Sequence, residues 1–193
     1  MPHARARADS IADVLAQWSH VRPYLDLGSL GIFAAVAHVY WLSTPRIDRL
    51  MAEHDINRGL FDVLTVLRRT GAPYSLSPGK IAGSLLLSGS GLTSRLDRLA
   101  AKQLVVRLPD PHDGRGLLIR LTPKGRRLVD RVLPRLIRLE ARLADGLSRE
   151  QLTQLTSLLD LWAASMQRAD RSRSIEESRG GQLRRSRARA RPA

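Results

Sequence analysis

The sequence predicts a mainly α-helical protein that carries one small β-hairpin, and three observations lead to this prediction. Hydrophobic residues make up 43% of the 193 residues but aromatic residues only 4%, which suits a helical protein rich in leucine, valine and alanine. Apolar residues recur at the three- and four-residue spacing of a helix face through most of the chain. Two short β-rich runs around a polar tip interrupt this pattern between residues 104 and 121.

Residues 1–8 are predicted to be flexible, and residues 9–56 are predicted to form the N-terminal helices. The first helix covers residues 9–21, and Pro23 ends it. Its apolar face is formed by residues at helical spacing, namely Ile11, Val14, Leu15 and Trp18.

A second helix is predicted for residues 27–43. Thr44 is a favourable N-cap, and Pro45 suits the first position of a helix. Residues 45–54 therefore either continue the second helix with a kink or begin a new one.

Residues 57–86 are predicted to form one longer and one short helix. Residues 57–69 place leucines on one face, and the Gly-Ala-Pro sequence at 71–73 ends that helix. Ser77 as N-cap and Pro78 in the first turn begin a short helix that covers residues 77–86.

A further helix and a hairpin follow. Ser88 is the predicted N-cap of a helix over residues 88–102. Residues 104–108 and 117–121 read as two strands, joined by a long polar tip at 109–116.

The C-terminal region, residues 126–167, predicts two more helices. Thr122 and Pro123 begin a long one that reaches about residue 143 and is bent at Pro134.

Ser148 and Gln151 form a capping box for the last helix, which covers residues 149–167. From there the hydrophobic pattern stops. Residues 168–193 are rich in arginine and serine and almost free of apolar side chains, so this tail is predicted to be disordered.

The charge of the chain predicts a polyanionic partner. The formal net charge is +14, and nearly all of the positive charge is arginine. The absence of cysteine excludes disulfides and thiol catalysis. The longest apolar run, residues 30–42, is well short of the ~20 residues that a membrane span needs, and no secretory signal precedes it. We therefore expect a soluble, cytoplasmic protein without a membrane partner.

Residues 57–125 are interpreted as a winged helix-turn-helix, in which the helix at 88–102 enters the major groove of DNA. Leu92, Leu96 and Leu99 fall on its inward face. The candidate DNA-contacting residues are short polar or cationic side chains around the rest of this helix and at the start of the preceding one: Ser77, Ser90, Thr93, Ser94, Arg95 and Arg98. The alternative is a solvated polar face, which any surface helix presents.

The hairpin tip carries Asp110, Asp113 and Arg115. An arginine on a hairpin tip is suited to a narrow, electronegative minor groove. The acidic neighbours can hold Arg115 in an extended pose, and we count Asp113 and Arg115 among the candidate DNA contacts. The alternative is an ordinary polar hairpin with a surface ion pair of little energetic value.

The segment DPHDGRGLLIRLTPKGRRL resembles the wing of the MarR family of bacterial transcription regulators, whose pattern is D-x-x-D-x-R, then Leu-Thr and a glycine three residues later. The matching residues are Asp110, Asp113, Arg115, Leu121, Thr122 and Gly125. LTSRLDRLAAKQLVVR resembles the family's recognition helix and its exit, and the order of helices matches over residues 27–167. Ala100 replaces a usual Glu, Gln103 a usual Gly, and Gly114 a common second Arg of the wing.

The resemblance implies a bacterial, nucleoid-associated homodimer in which the first and last helices of two subunits interlock. Two winged domains would then straddle a pseudo-palindromic operator, with the recognition helices roughly 34–36 Å apart. The alternative for the C-terminal helices is packing within one chain.

The family usually senses small, often aromatic and anionic molecules in a crevice between the dimerisation helices and the DNA-binding lobe. The sequence resembles its urate-responsive branch at four positions: Trp18 in an extra N-terminal helix, Asp62, Arg95 in the recognition helix and Arg107 at the start of the wing. A tryptophan can stack on a flat heterocycle, and an arginine can bind an anion in a bidentate manner.

Each of these residues also has a simpler interpretation. Trp18 can complete an apolar stripe in the core, and Asp62 can pair with Arg58 one turn earlier. Arg95 can contact a DNA phosphate. His38 and His54 can line the same crevice, respond to pH or simply be packed.

The sequence contains no nucleophile–base pair, no phosphate-binding glycine loop and no convincing metal spacing, so we expect no enzyme, no cofactor and no metal. The leading hypothesis is a sequence-specific transcriptional regulator, a repressor that a small aromatic anion such as urate or another purine releases from a palindromic operator. The alternative is a non-specific, arginine-driven nucleic-acid-binding protein. The tail either adds salt-dependent DNA affinity or only aids solubility.

Overall fold

A computed structural model of the chain describes residues 10–85, 91–111 and 113–189, with side chains described except at 114, 115 and 170–189. The chain divides into two compact units, Met1–Glu140 and Ala141–Ala193. The predicted N-terminal helices and the predicted winged helix-turn-helix thus belong to the same unit.

The chain begins with three helices: α1 (Ile11–Val21), α2 (Gly28–Ala52) and α3 (Arg58–Arg69). Ser10 and Asp13 form a capping box at the start of α1. Helix α2 runs through Pro45, so the continuous helix is the correct one of the two predicted alternatives. Proline has no N–H to donate, and around it the Ser43 hydroxyl and the Arg46 guanidinium donate to backbone carbonyls of the preceding turn.

The remaining elements are β1 (Ser75–Leu76), α4 (Pro78–Ser84), α5 (Leu92–Ala101), β2 (Val105–Asp110), β3 (Asp113–Leu121), α6 (Pro123–Leu143) and α7 (Arg149–Arg189). The three strands form one antiparallel sheet in the order β1-β3-β2. Strand β1 is absent from the sequence prediction because two residues carry no periodicity. It pairs Ser75 with Arg120 and Leu76 with Ile119.

The hairpin is longer than predicted. Strands β2 and β3 pair as far as Asp110 and Asp113, so the prediction of a long tip at 109–116 is wrong. The register shifts between Pro109 and Asp110, where proline offers no ladder donor. A Cβ on Gly116 would lie 2.8 Å from the Cβ of Asp110 and 2.9 Å from that of Asp113. Only glycine therefore fits where the strand folds back on these two aspartates.

Helix α5 begins later than predicted. Its N-cap is Gly91, with a left-handed φ of 71°, and not Ser88. Glycine adopts this conformation without a steric penalty, which lets the chain turn sharply into the helix. Ser88 lies outside the described residues, as does residue 86, where α4 was predicted to end. The last helical residue of α4 is Ser84.

The core of the first unit is built from the C-terminal part of α2, from α3, α4, α5 and α6, and from the sheet. Helix α3 buries its whole apolar face, and Val129 and Val132 of α6 are fully buried in the same hydrophobic cluster. Leu92, Leu96 and Leu99 bury the inner face of α5, as the sequence predicts. A buried leucine contributes about 1.5–3 kcal/mol, so these three side chains orient α5 far more firmly than any surface ion pair.

The C-terminal helices differ in part from the prediction. Pro134 lies inside the continuous helix α6. The Ser148–Gln151 capping box is confirmed, with distances of 2.8 and 3.2 Å. Helix α7 extends to Arg189, whereas the sequence predicts disorder for residues 168–193. The tail is rich in arginine, a good helix former, and has no proline before Pro192, although Gly180 and Gly181 disfavour a helix.

Helix α2 exposes a run of large apolar side chains: Leu30, Ile32, Phe33, Val36, Val39, Tyr40, Trp41 and Leu42. Trp41 is the most exposed of them, at 74%. Monomeric proteins rarely expose contiguous apolar surface of this kind. In the second unit, α7 likewise exposes Leu158 and Leu161, at 64% each.

Candidate nucleic-acid interface and effector crevice

The outer face of α5 carries the side chains that the sequence assigns to DNA. Thr93, Ser94 and Arg98 are exposed, because the three buried leucines turn the opposite side outward. Short hydroxyl side chains allow the backbone of a helix to approach DNA closely, and an arginine can contact a base edge or a phosphate. Ser90 lies outside the described residues. The predicted orientation of α5 is thus confirmed, while each DNA contact stays a prediction.

Ser77 acts as the N-cap of α4. Its hydroxyl oxygen accepts the backbone N–H of Lys80 at 3.4 Å. The hydroxyl proton can still donate to a DNA phosphate, so the cap does not exclude the predicted contact.

The exit from α5 is held by contacts that helical spacing in the sequence does not reveal. The Thr122 hydroxyl lies 2.9 and 3.1 Å from the carbonyl oxygens of Gln103 and Leu104, and it accepts the Gly125 N–H at 3.0 Å. One hydroxyl therefore caps α6 and ties it to the end of α5. A Cβ on Gly125 would lie 2.2 Å from the carbonyl oxygen of Leu104. The Leu-Thr-x-x-Gly pattern is the sequence signal of this joint.

The wing is tied to the recognition helix at its root. Arg107 of β2 donates to the Asp97 carboxylate of α5 at 2.5 Å. The sequence assigns Arg107 to an effector and gives Asp97 no role, because helical spacing does not reveal which strand residue faces a helix. This exposed ion pair brings the wing root into direct contact with α5. The side chain of Arg115 is outside the described part of the chain.

Asp62 and Arg95 lie close together, as the predicted effector site requires. The Arg95 guanidinium packs over Gly59 of α3, where an added Cβ would lie 3.3 Å from Nε. Asp62 is on the same helix, 3.6 Å from Arg58, so the simpler interpretation as an i,i+4 ion pair also matches the geometry. Burial raises the pKa of Asp62, and the charges of Arg58 and Arg95 oppose this effect. The Oδ2 atom of Asp62 is buried and has no hydrogen-bond partner among the described residues.

A cavity of about 200 Å³ opens beside this carboxylate. Its described lining residues are Arg58, Asp62, Thr65, Val66, Arg69, Ser84 and Leu85. The predicted effector residues Trp18, Arg95 and Arg107 are not among them. Trp18 lies on α1, which has no buried residue, and 47% of its surface is exposed. In the single chain Trp18 is therefore not a core residue, and its role in effector binding stays a prediction.

The two candidate histidines occupy different surroundings. His38 is exposed on α2. The Nε2 atom of His54 lies 2.9 Å from Arg135, which also donates to Glu53 at 2.6 Å. Since arginine is always a donor, His54 is the acceptor in this contact.

Metal sites and membrane-spanning helices are both absent from the described ranges. No group of three or more His, Cys, Asp or Glu residues there could hold a metal ion. No helix in the same ranges is long and apolar enough to cross a membrane.

Residues 54–116 match the family model described as MarR family. The chain is 34% identical over 154 residues to the HTH-type transcriptional regulator PecS of Dickeya dadantii, which covers 80% of this chain and 93% of PecS. It is 33% identical over 94 residues to the multiple antibiotic resistance protein MarR of Salmonella typhimurium, which covers 47% of this chain and 63% of that protein.

The fold is similar to that of solved structures. One is a mutant MarR from E. coli complexed with operator DNA, with a TM-score of 0.59, 26% identity, and coverage of 74% of this chain and 95% of that chain. Another is BpsR of Bordetella bronchiseptica, whose DNA binding is regulated by 6-hydroxynicotinic acid. It has a TM-score of 0.60 and covers 68% of this chain and 98% of BpsR, but at 22% identity the likeness is one of fold alone.

Proposed function

This chain belongs to the MarR family of DNA-binding transcriptional regulators, and we propose that it is a repressor that binds a pseudo-palindromic operator as a homodimer. A small aromatic anion is proposed to release the protein from this operator. Its relatives are regulators and not enzymes. The observation that carries the proposal is the buried leucine face of α5, which directs Thr93, Ser94 and Arg98 outward beside a β-hairpin.

The DNA contacts divide by chemistry. Thr93, Ser94 and Arg98, with Ser90, are proposed to meet base edges and phosphates in the major groove. Ser77 at the start of α4 is proposed to bind a phosphate through its hydroxyl and the helix N-terminus. Arg115, oriented by Asp113, is proposed to enter the minor groove. Arg95, on the flank of the helix, is proposed to serve both a phosphate and the effector.

The exposed apolar surface of α2 supports the homodimer. We expect it to pack against a second copy, together with the apolar side of α7, because unpaired surface of this kind in water is unfavourable. Two-fold symmetry then places two copies of α5 roughly 34–36 Å apart, one turn of DNA.

The effector proposal rests on the neighbourhood of Asp62 and Arg95. An aromatic anion that binds Arg95 and stacks on Trp18 would compete with Asp62 for the guanidinium. Because Arg95 belongs to the recognition helix, this competition biases the position of the helix that reads DNA. Arg107 would take part by exchanging its Asp97 partner for the ligand. Urate and related purines are the first molecules to test.

The DNA-binding proposal is tested by competition. We expect labelled intergenic DNA that contains the operator to be bound at least ~10³-fold more tightly than random duplex at the same salt concentration. Arg98→Ala is expected to reduce this preference, while Arg138→Ala, an exposed arginine on α6, leaves it unchanged. The arginine-driven alternative predicts no preferred site, and a salt dependence that falls steeply when residues 168–193 are removed. Equal binding of operator and random DNA would overturn the regulator proposal.

The effector proposal is tested by two arginine variants. Arg95→Ala is expected to weaken both operator binding and urate binding, whereas Arg115→Ala weakens operator binding alone. Operator binding is measured by fluorescence anisotropy, and urate binding by quenching of tryptophan fluorescence and by calorimetry. If urate binding survives Arg95→Ala unchanged, the shared role of this residue is refuted.

A further inference from the structure

A second cavity in the first unit lies away from Asp62 and has a different chemistry. It encloses about 260 Å³ between the turn after α2, the C-terminal end of α5 and the first turns of α6. Lys102, Lys124, Arg127 and Arg131 line it, together with His54 and one carboxylate, Asp55. Four cations thus face a single anion in a concave space.

Part of the positive charge in this cavity is not neutralised by carboxylates of the described residues. Lys124 donates to the Lys102 carbonyl at 2.9 Å, which places its ammonium at the end of α5. Arg127 and Arg131 follow Lys124 at i+3 and i+7, and therefore share one face of α6. Within the described residues, neither arginine has an ion-pair partner.

Asp55 supplies the one negative charge among the residues that line this cavity. Its carboxylate pairs with the Lys102 ammonium, and 92% of its side chain is exposed. The hydrogen bond and the charge of Lys102 lower the pKa of Asp55, so the carboxylate is ionised at neutral pH. An exposed ion pair of this kind is weak, and a multivalent anion that reaches the cavity can replace it.

The chemistry of the lining selects the ligand class. Two arginine forks match the geometry of a phosphate, which accepts bidentate hydrogen bonds and carries up to two negative charges. The volume suits a small molecule, below the roughly 300–1,000 Å³ of pockets for drug-sized ligands. Lys102 lies eight residues beyond Ser94 on α5, about 12 Å along the helix, which separates the cavity from the outward face assigned to bases.

We propose that this cavity binds a small phosphate monoester through Arg127, Arg131, Lys124 and Lys102, and that the bound phosphate displaces Asp55 from Lys102. The ligand is a free phosphorylated molecule and not the DNA backbone. Lys102 is the C-cap residue of α5, so the bound phosphate would lie at the C-terminal end of the recognition helix, where the helix dipole opposes an anion and the four cations must offset this effect.

The test uses the full chain without DNA, with glycerol 3-phosphate as probe and glycerol as control, in calorimetry at constant ionic strength. We expect the double variant Arg127→Ala/Arg131→Ala to bind the probe at least about tenfold more weakly, because the two guanidinium contacts are lost. A matched double variant, Arg138→Ala/Arg142→Ala, removes two exposed arginines further along the same helix and is expected to bind like the unmodified protein.

The substitution Asp55→Asn is expected to change the affinity for the probe in the opposite direction. Asp55 has a left-handed φ of 52°, which asparagine also tolerates, so the variant keeps the turn and removes only the competing charge. We expect it to bind the probe several-fold more tightly. Melting temperatures of all variants report whether the fold is intact.

Three outcomes would overturn the proposal: no binding of the probe beyond glycerol, equal binding by all variants, or weaker binding by Asp55→Asn. A loss of operator affinity in Arg127→Ala/Arg131→Ala without probe binding would assign these cations to the DNA backbone and also overturn it. Because the probe is measured without DNA, failure of the operator experiment leaves this result unaffected.

Discussion

Gln103 takes a left-handed φ of 59°, a conformation that strains residues other than glycine. It ends α5: its N–H donates to Ala100 at 2.8 Å, and the Leu104 N–H donates to Leu99 at 2.9 Å. We expect Gln103→Gly to stabilise the protein by about 1 kcal/mol and to raise Tm by about 2–4 °C. Thermal denaturation measures the change. Lys102→Gly, one residue earlier and in the helical region, is the control and is expected to lower Tm.

Asp62 gives stability a pH dependence. Burial raises the pKa of this carboxyl in the folded state above its unfolded value. Its stabilising contribution is therefore complete below the unfolded pKa and is lost as the pH rises through the folded pKa. We expect Asp62→Asn to be more stable than the unmodified protein at neutral pH, by no more than about 1 kcal/mol because the group is partly exposed. The advantage should shrink as the pH falls. Urea unfolding across pH 3–8 measures it, and a less stable variant at neutral pH would show that Arg58 and Arg95 outweigh burial.

At the scale of elements, the joint between α5 and α6 depends on one glycine. A Cβ on Gly125 would meet the Leu104 carbonyl oxygen at 2.2 Å, so Gly125→Ala must shift α6 or the turn. We expect it to destabilise the protein by about 1–3 kcal/mol, measured by chemical unfolding. Gly83→Ala is the matched control. A Cβ there meets nothing within 4 Å, and α4 should gain about 0.5–1 kcal/mol. Equal effects of the two substitutions would contradict the steric account.

The spacing of apolar residues predicted correctly which face of a helix is buried. The leucines of α5 and the apolar face of α3 lie inward as predicted, because a helix has only one face to bury. The hairpin bounds were not predictable, since the pairing of Asp110 with Asp113 depends on the close packing of Gly116 and not on alternation.

The candidate site was predictable only in part. Asp62 and Arg95 were assigned from a resemblance and lie close together in the fold. The pairing of Arg107 with Asp97 was missed, because it joins a strand to a helix and therefore depends on tertiary packing. Single-sequence spacing describes neighbours within an element, and contacts between elements need the fold.

At the scale of the whole molecule, the proposed dimer depends on the apolar surface of α2. Val39 is 65% exposed in the single chain, and a second copy would bury it. We expect Val39→Glu to shift the protein from dimer to monomer in analytical ultracentrifugation, since a buried, unpaired carboxylate is costly. Val106→Glu on β2 is the control, because that valine, 41% exposed, lies outside the proposed interface. A dimer that persists in the Val39→Glu variant would exclude α2 from the interface.

The hydroxyl of Thr122 joins residues that are 18 and 19 positions apart in the chain. Forming that joint first would require closing the whole intervening loop without compensating contacts. Pairing of β2 with β3 brings the two ends together progressively, beginning at the tip between Asp110 and Asp113. The hairpin is therefore expected to form before α5 is fixed to α6 during folding. Substitutions that weaken its pairing should slow folding, while those at the Thr122 joint should mainly accelerate unfolding.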